Sequence, residues 1–180
     1  MNKLFITIIL LGTFMGRSFA QENTKLPDDR GYLVKVSDMA PDFTIRFTDG
    51  SPSKKLSDLK GSIVMLQFTA SWCSVCIKEM PHIEDQIWKA FKDKGLFLFG
   101  VDRKEKTEDV VKFAKKMKIT YPLIMDEDGK IFELFADAKA GVTRNVIIDK
   151  DGKIVFLTRL FDENEFNVMV KKIEGLLNQQ

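Results

Sequence analysis

The sequence is poor in the residues that build metal sites and disulfide-stapled folds. It has one histidine, His82, and two cysteines, Cys73 and Cys76, in 180 residues. Structural zinc takes four ligands, mostly Cys and His, so the chain is short of donors and we expect no metal and no other cofactor. A bridge between cysteines three residues apart closes a very small loop and constrains the unfolded chain little. The pair therefore favours redox chemistry over structural stapling.

Long apolar runs are also scarce. The most extended, Leu4 to Met15, is shorter than the roughly 20 residues that span a bilayer. Lys3 precedes it, and Ser18-Phe19-Ala20 places small residues at the positions a signal peptidase reads. We interpret residues 1–20 as a cleaved signal peptide, with a retained membrane anchor as the alternative. The protein is expected to be exported, to the periplasm or the outer face of the cytoplasmic membrane.

An excess of charge of either sign is lacking too. Removing residues 1–20, which hold Lys3 and Arg17 and no acid, leaves 26 basic and 26 acidic residues. No basic field remains that would indicate nucleic acid as a partner. The polar residues 21–31 are predicted to form a flexible linker, and residues 32–180 one folded domain.

Apolar runs of strand length alternate with helical spacing along this domain. Ile63–Phe68 and Leu96–Val101 are predicted buried strands, and Ser74–Lys92 repeats apolar residues at helical intervals. Alternating strands and helices predict parallel neighbours joined by right-handed crossovers. The other predicted elements are edge strands at 32–36 and 43–47, helices at 107–118, 130–136 and 163–177, a strand at 123–125, and a hairpin at 146–160. We therefore expect an α/β fold whose central mixed sheet has helices on both faces.

The two cysteines fall where a buried strand gives way to a helix. A helix N-terminus carries free N–H groups and partial positive charge, which favour a thiolate and lower the pKa of Cys73. Cys76 lies one turn further on and is placed to resolve a mixed disulfide formed by Cys73. Trp72 is expected to lie beside the sulfurs as part of a docking surface.

The active-site stretch resembles that of the TlpA/ResA-like thiol–disulfide oxidoreductases of the AhpC/TSA-redoxin superfamily. The residues that carry the resemblance are Phe68–Cys76, Lys78–Pro81, Ala40–Phe43, Leu56–Gly61 and Ile147–Asp149. It implies a thioredoxin-like fold with an N-terminal extension. It also implies exchange with protein dithiol or disulfide substrates. Because oxidation prevails outside the cytoplasm, we expect a reductase that receives electrons from a membrane donor, although the Ser74-Val75 pair between the cysteines leaves the direction of electron flow open. We expect a monomer.

The resemblance assigns a further role to Glu79. In ResA-like members an acidic residue at this position lies near the dithiol and handles its proton, so Glu79 is predicted to accept the proton of Cys76. An ordinary solvated glutamate on the helix surface is the alternative. Gln67 stands where thioredoxin has a buried acid, and an amide cannot act as a base.

The clearest departure from the family is Thr143. It stands where the family has a cis-proline, in a loop that faces the dithiol. A cis bond before a non-proline residue costs about 2.5–4 kcal/mol, so a trans peptide is expected. Val142 and Thr143 are predicted to face the sulfurs and bind substrate, with the Thr143 hydroxyl either donating to the thiolate or only packing. Arg144 either adds positive charge near the site or points outward.

Two other functions use the same fold. A peroxiredoxin-like thiol peroxidase has Thr or Ser three residues before its reactive cysteine, whereas this chain has Ala70 there. A Sco-like copper-binding module uses a wider cysteine spacing and a distal histidine, whereas His82 lies on the helix of the dithiol itself. Both remain alternatives to the oxidoreductase.

Overall fold

The computed structural model describes residues 30–179. The predicted signal peptide, 1–20, and most of the predicted linker, 21–31, lie outside these residues. The last two residues of that linker, Arg30 and Gly31, are described: Arg30 pairs with Glu165 at 2.6 Å, and the carbonyl of Gly31 accepts the amide of Asp137.

Five strands form the central sheet, in the spatial order β5-β4-β3-β6-β7. Their bounds are β3 Ile63–Thr69, β4 Leu96–Arg103, β5 Leu123–Asp126, β6 Arg144–Ile148 and β7 Ile154–Arg159. The first three are parallel and the last two antiparallel to their neighbours, so the predicted mixed sheet is confirmed. Two short strands, β1 Thr44–Ile45 and β2 Lys54–Lys55, make a separate antiparallel pair.

The central strand β3 is buried along its whole length, because side chains on both its faces meet a core. Val64, Leu66 and Phe68 pack on one face, while Ile63 and Met65 pack on the other. A strand with two buried faces needs an almost continuous apolar run. Its carboxyl end therefore delivers the chain to the edge of the sheet, where the dithiol follows.

Helices cover both faces of the sheet, as predicted. Their bounds are α1 Ser74–Ile83, α2 Lys89–Phe91, α3 Thr107–Met117, α4 Lys130–Phe135 and α5 Glu163–Leu177. A π-helical segment, Glu84–Trp88, joins α1 to α2, and Gly95 ends this run in the left-handed conformation at φ 92°. Met80 and Ile83 of α1 pack with the buried side chains of α3 and α5 on one face of the sheet, whereas Cys76 and the buried side chains of α4 pack on the other.

The predicted edge strand at 32–36 is wrong. Tyr32 makes a single bridge to Ala136, and the amide of Leu33 donates to the carbonyl of Phe135. The segment crosses the end of α4, where no strand offers a continuous ladder, and Ser37 then turns the chain at a positive φ of 81°.

Within residues 30–179, no helix has the length and apolar character needed to cross a membrane.

Candidate active site

Cys73 and Cys76 lie at the start of α1 and are joined in a disulfide, with their Cα atoms 5.3 Å apart. Cys73 is the residue that caps the helix, in an extended backbone conformation. This geometry follows from the sequence, because β3 ends at Thr69 and the chain needs a short turn before the helix begins. The expected position of the pair is confirmed.

The two sulfurs differ in access and in hydrogen bonding. Cys73 Sγ accepts the backbone N–H of Cys76 at 3.1 Å. Cys73 retains 8% of its surface, whereas Cys76 retains none. A sulfur that caps a helix and receives an N–H is stabilised as a thiolate. Cys73 is thus the more exposed of the two and the one whose sulfur receives an N–H of the helix.

Thr143 faces the dithiol. Its Oγ1 lies 3.2 Å from Cys73 Sγ and 3.3 Å from Cys76 Sγ. The peptide bond before it is trans, since none of the bonds described is cis. β6 begins at the next residue and pairs with β3, and the carbonyl of Thr143 accepts the amide of Leu160. The loop is therefore held by strand pairing, without the proline.

Glu79 is buried in α1, with 1% of its surface exposed. It lies three positions after Cys76, so both side chains leave the same face of the helix. Its Oε1 accepts a 2.6 Å hydrogen bond from Asn145 Nδ2. Burial raises the pKa of Glu79 to about 7, although the amides of Asn145 and nearby Gln67 act in the opposite direction. The solvated surface position is thus excluded for Glu79.

Asn145 links this carboxyl to the sheet. Its Nδ2 also donates to Thr158 Oγ1 at 2.9 Å, and it stands opposite Gln67 and Thr158 in the strand ladders. Gln67 in turn accepts a 2.7 Å hydrogen bond from Tyr121. Sequence reasoning did not single out Asn145 or Thr158. The pattern that could have identified them is a polar residue within a strand that is otherwise apolar.

A second buried carboxyl lies at the end of β4. Asp102 pairs with Thr69 in the ladder, and within the described part of the chain neither of its carboxylate oxygens has a hydrogen-bond partner. Burial and the adjacent carboxylates of Glu105 and Asp126 raise its pKa to about 8. Glu105 accepts hydrogen bonds from both the amide and the hydroxyl of Ser71, in the turn before the dithiol. Sequence reasoning missed this cluster as well.

The remaining predicted site residues occupy different environments. Trp72 is 65% exposed beside Cys73, whereas the side chain of Val142 is buried. The side chain of Val142 is therefore almost inaccessible, in contrast to that of Trp72. His82 contacts Gln86 and stacks on Phe161. Among residues 30–179, no three His, Cys, Asp or Glu side chains converge to hold a metal ion.

The family model described as AhpC/TSA family matches residues 36–157 of the chain. The chain belongs to the AhpC/TSA family.

Individual relatives of the chain indicate more closely which class of enzyme it resembles. The thiol-disulfide oxidoreductase ResA of Oceanobacillus iheyensis is 33% identical over 136 residues, which are 73% of this chain and 69% of that protein. A solution structure of a candidate protein disulfide isomerase from Bacteroides thetaiotaomicron is 53% identical, with a TM-score of 0.80. The match covers 83% of this chain and 94% of the Bacteroides chain. A crystal structure described as a thiol:disulfide interchange protein DsbE, from Chlorobium tepidum, is 29% identical, with a TM-score of 0.71 and coverage of 81% and 99%.

The fold, the Cys73–Cys76 pair and these relatives agree. The protein is a thiol–disulfide oxidoreductase of the thioredoxin-like class. Protein thiols and disulfides are the substrate class that this family implies.

Proposed function

We propose that the protein is exported and reduces disulfides in other proteins, with Cys73 as nucleophile and Cys76 as resolving thiol. The observation that carries the proposal is the asymmetry of the two sulfurs. Cys73 caps the helix, accepts the Cys76 amide and keeps some exposure, while Cys76 is fully buried. A buried sulfur can reach only its neighbour, which suits resolution and not first attack.

The cycle balances as a two-electron transfer. The thiolate of Cys73 attacks one sulfur of the substrate disulfide, and the other substrate sulfur leaves as a thiolate. The thiolate of Cys76 then attacks Cys73 Sγ, which releases the second substrate thiol and closes the enzyme disulfide. The substrate disulfide is reduced and the enzyme dithiol is oxidised, so a donor must return two electrons before the next turnover.

Glu79 serves the second step. The thiol of Cys76 must lose its proton before it attacks, and a carboxylate on the same face of α1 is placed to take it. A pKa of about 7 divides the carboxyl between its two forms at neutral pH. Asn145 holds the carboxyl in place through its 2.6 Å hydrogen bond.

The docking surface consists of Trp72 and the facing loop. Trp72 offers an exposed aromatic ring, and the Val142–Thr143 backbone runs beside the sulfurs. The Thr143 hydroxyl can donate to a thiolate at either cysteine, because it lies within 3.3 Å of both sulfurs. It therefore stabilises the negative charge that forms at each step.

Two parts of the proposal, export and the source of electrons, depend on features outside the site. The apolar segment, the flanking Lys3 and the Ser18-Phe19-Ala20 sequence support removal of residues 1–20 after translocation. Oxidation prevails outside the cytoplasm, so a reductase there requires electrons carried across the membrane. We place a membrane thiol donor in that role and propose that the protein acts as a monomer.

Trapping of mixed disulfides tests the assignment of the two cysteines. Cys76→Ser is expected to accumulate a covalent complex with a disulfide-bonded protein substrate, and reducing agent should dissolve it. Cys73→Ser is the matched control and should form none. Trapping by Cys73→Ser alone would reverse the two roles, and trapping by neither variant would contradict the proposed reaction.

A further inference from the structure

A strongly basic pocket of about 310 Å³ opens beside the loop that carries Thr143. The charged residues that line it are Arg30, Asp137, Lys139, Arg144 and Arg159. Its one acidic lining residue, Asp137, offsets one of the four positive charges and accepts the amide of Lys139 at 2.8 Å. Arg30 pairs with Glu165. The pocket therefore retains an excess of positive charge.

Two guanidinium groups of the pocket carry buried N–H groups without acceptors. Arg144 is fully buried, its Nε donates to the carbonyl of Gly141, and its Nη1 donates to that of Arg30. Its Nη2, like Nη1 of Arg159, has no acceptor anywhere in the described chain. A buried donor left unpaired is unfavourable. These two N–H groups are available to a ligand that enters the pocket.

The guanidinium groups also repel one another. Burial lowers the pKa of Arg144, and the charges of Arg159 and Arg103 lower it further. Tyr32, whose ring lies 4.5 Å from the Cζ atom of Arg144, partly opposes this lowering of the pKa. An anion in the pocket would relieve both the repulsion and the unpaired donors.

The pocket adjoins the dithiol through two short links. Arg144 directly follows Thr143, and Arg159 stands opposite Arg144 in the β6–β7 ladder. Gly141, two residues before Thr143, lies so close to Arg159 that a Cβ there would collide with its Nη2. A chain docked along the Val142–Thr143 loop would therefore pass the mouth of this pocket.

We propose that the pocket is a subsite for a carboxylate carried by the substrate protein, an Asp or Glu side chain close to the disulfide that is reduced. The proposal rests on the proposed function, since it requires a protein chain docked beside Thr143. Arginine presents its N–H groups in a planar fork that matches the two oxygens of a carboxylate. The preferred substrates are then disulfide proteins with an acidic residue near the bond.

Two peptide disulfides that differ only by Glu or Gln beside the cystine test this preference. The wild-type chain from residue 21 should reduce the Glu peptide with a kcat/KM at least about fivefold higher, and added salt should shrink the ratio. Arg159→Gln should bring the ratio close to one. Lys139→Gln, at an exposed position, should lower it part of the way. Arg46→Gln, an exposed arginine outside the pocket, should retain the full ratio.

Equal rates for the two peptides, or the same ratio in wild type and Arg159→Gln, would overturn the proposal. The residues before the pocket include Asp28 and Asp29. A ratio that emerges only in Asp28→Asn/Asp29→Asn would assign the pocket to the chain's own acids and would equally overturn it.

A direct titration separates this proposal from the proposed function. Glutarate added to the oxidised protein should shift the NMR signals of Gly141 and Arg144, and Arg159→Gln should weaken that binding. If neither peptide is reduced but glutarate binds in this way, the reductase assignment fails and the carboxylate site stands. No binding of glutarate, or tighter binding of inorganic phosphate, would contradict a carboxylate site.

Discussion

The reactive centre joins two segments of unlike origin. The dithiol segment, residues 70–76, is shaped by local rules, since β3 ends, a turn follows and Cys73 caps α1. The facing segment, residues 141–145, is shaped by distant partners: β3, the amide of Leu160 and the carboxyl of Glu79. In the proposed mechanism the reacting sulfurs lie in the first segment, and the second segment adjusts their charge and their contact with partners.

The largest effect is expected in the dithiol segment. Cys73→Ser should reduce turnover of a protein disulfide to background, because the remaining thiol, that of Cys76, is fully buried. A fluorescent disulfide-linked peptide measures the rate, and circular dichroism checks that the variant is folded. Measurable catalytic turnover by folded Cys73→Ser would remove the distinction between the two segments.

Glu79 connects the two segments through its hydrogen bond with Asn145. Replacing it should slow the attack of Cys76 on the mixed disulfide without preventing the first attack by Cys73. Glu79→Gln keeps the hydrogen-bonding shape but cannot take the proton of Cys76, so resolution should slow by about 100-fold. Rapid mixing at several pH values resolves the step. In wild type the rate should rise through a transition near pH 7, and this transition should be absent from the variant.

The exposed Glu174→Gln is the matched control for that measurement and should behave as wild type. A Glu79→Gln variant with unchanged rate and unchanged pH profile would reduce Glu79 to a packing residue.

The same carboxyl predicts a pH dependence of stability. Its pKa is 4.5 in the unfolded reference and about 7 when folded, so the folded protein holds a proton that the unfolded chain releases. The stabilisation is present below pH 4.5 and is lost as pH rises through about 7, by roughly 3 kcal/mol. In urea unfolding, the free energy of unfolding should decline less between pH 4.5 and pH 7.5 in Glu79→Gln than in wild type. Asp102, whose pKa is raised in the same direction, contributes equally to both proteins, and identical declines would contradict the buried carboxyl.

Thr143 should have the smallest effect, because it adjusts charge and does not react. Thr143→Val removes the hydroxyl while keeping the shape, and the Cys73 thiolate loses one hydrogen bond. Its pKa should rise by about one unit, and the reduction potential should become roughly 30 mV more negative. Thiolate absorbance during a pH titration measures the first change. Thr44→Val, at an exposed position of β1, is the control, and an unchanged pKa in Thr143→Val would mean that Thr143 only packs.

The contrast between the segments also explains what the sequence could predict. Apolar runs and helical spacing predicted the central strands and the long helices, because those signals are local. The cysteine pair was evident from its position between β3 and α1. Thr143 was found only through the family resemblance, as a departure from an expected proline.

Residues whose role depends on distant partners escaped prediction. Asn145 is buried by its register against Gln67 and Thr158, and local pattern does not specify register. Arg144 was expected either near the dithiol or outward, but it is fully buried on the ring of Tyr32. Asp102 is buried because β4 is covered on both faces. A polar residue within a strand does not by itself indicate that both faces of the strand are covered.

The reduction potential of the Cys73–Cys76 pair tests the proposed reductase most directly. The chain from residue 21 would be equilibrated in graded thiol–disulfide buffers, with the two redox forms separated after alkylation. We predict a reversible intramolecular disulfide with a potential near that of thioredoxin, about −270 mV. A value near about −120 mV would identify an oxidant that makes disulfides, and the absence of a reversible disulfide would contradict the dithiol mechanism itself.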